Sequence, residues 1–161
     1  MGEEYSIHIV AYEGKTVLGK LIRYWTRFDI THVEVMRQNP QRPEALTSTI
    51  GAIEGKGVTW ADLNEKKGKY KIYEVTLTKE QYKLFWQYVF SHMGKGYDYF
   101  GILGFVVLKV NEQPNRFYCS ELIYKGLVAA GVNFWNEPQR YVSPGRLVSE
   151  AQLKLVKEGE N

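Results

Sequence analysis

The chain has 161 residues, 44% of them hydrophobic and 24% charged, and a formal net charge of +3. That length suits one domain, 1–161, with a real core, and so mild a charge gives no argument for nucleic-acid binding. A single cysteine, Cys119, excludes an internal disulfide, so nothing demands an oxidising compartment.

In chain order, Met1-Gly2-Glu3-Glu4 carries two acids where a secretory signal would carry basic residues. Tyr5 to Tyr12 is β-rich and predicts a first strand. After Gly14, apolar residues at 17, 18, 21, 22 and 25 predict a helix over 15–27. Residues 29–36 alternate with period two, with Thr31, Val33 and Val35 on one face and His32, Glu34 and Met36 on the other. A polar loop with Pro40 and Pro43 follows. Thr49 to Glu54 predicts a strand closed by Gly55-Lys56-Gly57, and 58–60 lead toward a short turn or helix near Asp62.

Lysines 56, 66, 67, 69 and 71 cluster around a turn and read as a solvated loop. Lys69 to Thr76 predicts another strand. Thr78 with Gln81 forms a capping box for a helix running to about Met93. Asp98 is placed to cap an almost wholly apolar helix over 99–109, of the kind that is buried or lies under a lid. That apolar block is about a dozen residues, too short to span a bilayer. The Pro114 turn, a helix from Cys119, a loop with Pro138 and a short helix capped by Ser143-Pro144 complete the chain. The expectation is an α+β fold with a small antiparallel sheet packed against helices, in a soluble, cytoplasmic protein.

Cys119 carries the candidate chemistry. Apolar or small residues at 119, 122, 123, 126, 127 and 130 form one helical face, and Gly131 follows in a helix-ending position. A thiol in the first turn of a helix feels the positive end of the dipole, which favours thiolate. The plain alternative is a small core filler, the usual role of a lone cysteine. A nucleophile also needs a base and a group to orient that base. Among His8, His32 and His92, strand placement singles out His32 as the rigidly held base. Glu34 and Glu54 are the candidate orienters. Glu34 lies on the same strand, with its side chain running parallel to the imidazole. Glu54 is favoured because a neighbouring strand sets side chains opposite one another, about 5 Å apart at Cβ. Either acid also reads as a solvated surface group.

Four segments carry a resemblance: Thr26-Arg27-Phe28-Asp29-Ile30-Thr31-His32-Val33-Glu34-Val35, Ile53-Glu54-Gly55-Lys56-Gly57-Val58, Tyr97-Asp98-Tyr99-Phe100-Gly101-Ile102-Leu103-Gly104 and Phe117-Tyr118-Cys119-Ser120-Glu121-Leu122. In this order and spacing the sequence resembles circularly permuted NlpC-type papain-like proteins, the YiiX-like group, in which the histidine precedes the cysteine. The resemblance implies Cys119 as nucleophile, His32 as base and Glu54 as orienter, with no metal and no cofactor. It departs from the family at Glu34, where the strand often reads His-Val-Gly, and a charge there is expected to alter the cleft or its substrate preference. Tyr12 and Tyr118 are further expected substrate contacts, Tyr118 being equally a core residue. The activity implied is a cysteine amidase or peptidase acting on a small peptide. A lipid-directed acyl hydrolase or acyltransferase is second, and a silent binding module third.

Overall fold

The computed structural model describes residues 4–36, 47–99, 115–133, 142–149 and 153–161. The fold is α+β. Six strands form one antiparallel sheet in the order β4-β3-β2-β1-β5-β8: β1 (Tyr5–Tyr12), β2 (His32–Met36), β3 (Ser48–Ile53), β4 (Gly57–Asp62), β5 (Lys69–Leu77) and β8 (Lys154–Glu160). A two-residue parallel pair, β6 (Gly96–Tyr97) with β7 (Arg116–Phe117), stands apart from it. The helices are α1 (Val17–Thr26), α2 (Lys79–Ser91), α3 (Cys119–Ala129) and α4 (Pro144–Val148).

Alternation along the strands sorts the side chains. Ile7, Ile9 and Ala11 of β1, Val33 and Val35 of β2, and Ile50 and Ala52 of β3 share one face and are all fully buried. α2 and α3 cover that face with Phe85, Trp86 and Val89 from one helix and Leu122, Ile123 and Leu127 from the other. Gly126 allows the two helices to approach closely, since a Cβ there would stand 2.9 Å from the Phe85 ring. The opposite face carries a smaller cluster of Val10, Tyr12, Met36, Leu63, Tyr70 and Ile72.

Local signals place most element ends within two residues. Thr16 caps α1 through the Gly19 N–H, and Thr78 and Gln81 make the expected box on α2. Ser143 caps α4, and Gly131 follows α3 at φ 76°. Residues 57–62 form a full strand, because β3 supplies a partner along their whole length, and lead as expected into a short helical turn: Asp62 caps a 3₁₀ turn over Leu63–Glu65. One segment differs from the sequence reading. The segment 154–160 is a strand at the sheet edge. Its composition is charged and gives little strand signal, and pairing with β5 decides its state. Charges on an edge strand discourage further strand addition. The expected loop with Pro40 and Pro43, the apolar helix beyond Tyr99, the Pro114 turn and the Pro138 loop lie outside the described residues.

Candidate active site

Tyr118 lies just before α3, and the Glu121 carboxylate accepts its N–H (3.3 Å), so the start of the helix is fixed from within. Ser120 Oγ donates to the Val142 carbonyl (2.5 Å), tying the same turn to the segment before α4. Cys119, the first helical residue, is buried against the start of β2. The backbone N–H groups of Val33 and Ser120 donate to its sulfur, and it is hydrogen-bonded to His32. The β2–β3 ladder ends at the Val35–Ile50 pair, two residues from the Val33 N–H that serves the thiol.

His32 is the first residue of β2 and stands opposite Tyr12 in the β1–β2 register, their ring centroids 5.8 Å apart. Its Nε2 is 2.8 Å from Glu34 Oε1. The other two histidines have local partners elsewhere. His92 Nδ1 is 2.7 Å from the Tyr88 carbonyl, and His8 faces Glu74.

The carboxylate behind His32 is therefore Glu34, and the preference for Glu54 is corrected. The β2–β3 register pairs Val35 with Ile50, and Gly51, the next residue of β3, lies against the Glu34 side chain. Glu54 is one residue out of step, lies beyond the end of β3 and is exposed at the rim. Nor does Glu34 run parallel to the ring without meeting it. Residues two apart on a strand are separated by about 6.6 Å, a span that a glutamate and an imidazole close between them.

Glu34 is fully buried. Both its oxygens are engaged: Oε1 by His32 and by the Lys66 ammonium, Oε2 by the Tyr12 hydroxyl (3.2 Å) and the Thr49 hydroxyl (2.5 Å). That matches the roughly four acceptor sites of a carboxylate. Gly51 makes room for it, since a Cβ there would lie 2.7 Å from Glu34 Cγ. Lys66 also lies over the Tyr12 ring, 4.8 Å from its centroid. The sequence reading missed Lys66 and Thr49. Lys66 was hidden within a lysine cluster that is otherwise solvent-facing, and Thr49 needed the strand register.

The charges follow from these contacts. Burial opposes a negative Glu34, but His32 and Lys66 outweigh it and hold the carboxyl down at about 2. Burial also opposes a positive His32, yet the Cys119 thiolate and Glu34 push the imidazole up to about 9 against the repulsion of Lys66. The Cys119 thiol is held below its ordinary value: His32 and the two backbone N–H groups overcome its desolvation. Cys119 and His32 thus each favour the charged form of the other, with a buried carboxylate behind the ring.

A cleft of about 540 Å³ opens beside it, lined by His32, Tyr12, Tyr97, Glu54 and Lys66 and walled by α1 through Leu18, Gly19 and Ile22. Besides His32, Tyr97 is the cleft residue whose hydroxyl senses Cys119: burial and then the neighbouring thiolate and Glu54 raise its pKa. Tyr12 is thus both a cleft residue and a donor to Glu34. Two expected substrate contacts are corrected. Glu34 has no exposed surface, and Tyr118 is buried with its hydroxyl accepting the Val142 N–H (3.3 Å).

Across 96% of this chain and 97% of the other, the structure superposes on the crystal structure of YiiX from Escherichia coli O157:H7 with a TM-score of 0.71 and 18% identity. The fold is YiiX-like. No family model matches the sequence, and no curated protein does. YiiX is described as a DUF1105 metalloprotein. Among the described residues of this chain, no three His, Cys, Asp or Glu side chains converge as a ligand set. Cys119, His32 and Glu34 form a chain rather than a convergent site, and an ammonium occupies the one carboxylate oxygen nearest the ring. This donor set does not fit a metal.

Proposed function

We propose that the chain is a cysteine-dependent acyl hydrolase of circularly permuted, papain-like design, with Cys119 as nucleophile, His32 as general base and acid, and Glu34 as the residue that orients His32. The observation that carries this reading is the hydrogen-bonded series Cys119–His32–Glu34 beside an open cleft. A purely structural cysteine has no use for an imidazole held by a fully desolvated carboxylate. In the reaction the Cys119 thiolate attacks the substrate carbonyl carbon, and the carbonyl oxygen takes up the electron pair. Backbone N–H groups at the start of α3 meet that oxyanion. His32 gives its proton to the leaving amine or alcohol, which departs with the pair of the broken bond. Neutral His32 then takes a proton from water, whose oxygen attacks the thioester and releases the acid and the thiolate.

The first substrate class is a small peptide or amide: Leu18, Ile22 and Ile53 give the cleft an apolar floor, and Lys15, Lys67, Glu13 and Glu54 offer both signs of charge to a short zwitterion. An acyl group carried by a lipid is the second, favoured by the exposed aromatic side chains of α1 beside the same cleft.

Thiol labelling tests the reading. A small alkylating probe is expected to modify Cys119 near neutral pH roughly a hundredfold faster in the wild type than in His32→Ala, the low end of what general-base activation contributes. Equal rates in the two would sink the activated-nucleophile idea. Product release from dipeptide amides or short-chain esters that survives Cys119→Ala would remove the covalent mechanism.

A further inference from the structure

α1 presents three arcs to three different surroundings. At about 100° per residue, Leu18, Gly19 and Ile22 point inward to the cleft and core. Val17, Leu21, Tyr24 and Trp25 form an adjoining arc that faces water with 77%, 50%, 74% and 52% of their surface, and Phe28 extends it just past the helix end. Single exposed apolar residues are ordinary, but five on successive turns form a patch. The third arc holds Lys20, Arg23 and Arg27. With Lys15, these make four cations in residues 15–28; Asp29, the next residue, stands 3.8 Å from Arg23, and three cations remain in surplus.

We propose that α1 is a membrane-docking helix that seats on an anionic lipid surface and brings the mouth of the cleft to that surface. A Trp and a Tyr beside aliphatic side chains, flanked by Lys and Arg, is the composition of a helix lying in the interfacial plane. The aromatic rings bury their bodies among acyl chains and keep N–H and O–H in the headgroups. The cations meet lipid phosphates, with an expected gain of roughly fivefold in binding for each. A second copy of this chain is a poorer occupant, because a two-fold contact would set one arc of Lys20, Arg23 and Arg27 beside another. Because Leu18, Gly19 and Ile22 wall the cleft from the inner side of the same helix, a docked α1 leaves that cleft next to the lipid.

The inference is independent of the catalytic reading, and the experiment keeps the two apart. The full chain is sedimented with phosphatidylcholine vesicles, with and without about 30% phosphatidylglycerol, at low and at high salt, where screening is roughly threefold shorter in range. Expected is binding to the anionic vesicles at least about tenfold tighter than to the neutral ones, weakened by salt. Leu21→Ser with Trp25→Ser, and separately Lys20→Glu with Arg27→Glu, should each lower it by roughly tenfold or more at an unchanged melting temperature. Quenching of tryptophan fluorescence by brominated lipid should fall in Trp25→Phe. Cys119→Ala should bind like the wild type, so vesicle binding by that variant leaves this inference standing whatever the outcome of the thiol-labelling test of the catalytic reading. Failure of the wild type to sediment, equal binding by the variants, or a dimer that the Leu21/Trp25 variant dissolves without any vesicle binding would each overturn the proposal.

Discussion

On one face of β2, Val33 and Val35 sit among Ile50, Ala52 and the apolar sides of α2 and α3. On the other face, one residue away along the same strand, His32 and Glu34 belong to a network of Tyr12, Thr49 and Lys66. The first set is interchangeable in kind, because apolar burial is non-directional and asks only for volume. The second is not. Each donor on Glu34 answers a specific lone pair, and removing any one exposes the cost of a buried, unpaired charge. One strand therefore supplies core packing through one set of side chains and the proposed chemistry through the other.

The largest expected effect comes from breaking the polar face. Glu34→Ala removes the anion that faces Lys66 and His32 and should cost about 3–5 kcal/mol in chemical denaturation, with the His32 pKa, followed by NMR titration, falling from about 9. Survival of a raised His32 pKa in that variant would refute the role given to Glu34. The same carboxylate sets an acid limit. Because its folded pKa is depressed, from 4.5 to about 2, its contribution is complete above pH 4.5 and lost as pH falls toward 2. Glu34→Gln should flatten that part of the stability–pH curve.

Breaking the apolar face should cost nearly as much and teach something different. Ile50→Ala is expected to lose about 2–5 kcal/mol while leaving the His32 titration in place, since Ile50 belongs to the apolar face of the sheet. Gly51→Ala probes the seam between the two faces. The added methyl meets Glu34 Cγ, so the variant should lose about 1–3 kcal/mol and lower the rate of Cys119 alkylation at neutral pH. Glu54→Gln should be the smallest, within about 0.5 kcal/mol for an exposed position, and should leave the His32 pKa unmoved.

Much of the fold was legible because its signals are local. The 119, 122, 123, 126 spacing marks the buried face of α3, and Thr78 and Ser143 announce helix starts through side chains that bond only a few residues away. The period of two in β2 already divides Val33 and Val35 from His32 and Glu34. What failed was register. Choosing between Glu34 and Glu54 required knowing that Val35 pairs with Ile50, a fact about two strands that neither carries alone. The strand at 154–160 and the reach of Lys66 into Glu34 failed for the same reason.

By itself, then, the sequence determined which faces are apolar, where helices begin, and that Cys119 opens a helix downstream of a strand-borne histidine. These follow from steric and hydrogen-bonding preferences within a few residues. Only the tertiary structure decided which carboxylate stands behind His32 and which lysine neutralises it. Those partners lie across strands, and the register of the sheet and the missing side chain of Gly51 are what bring them together.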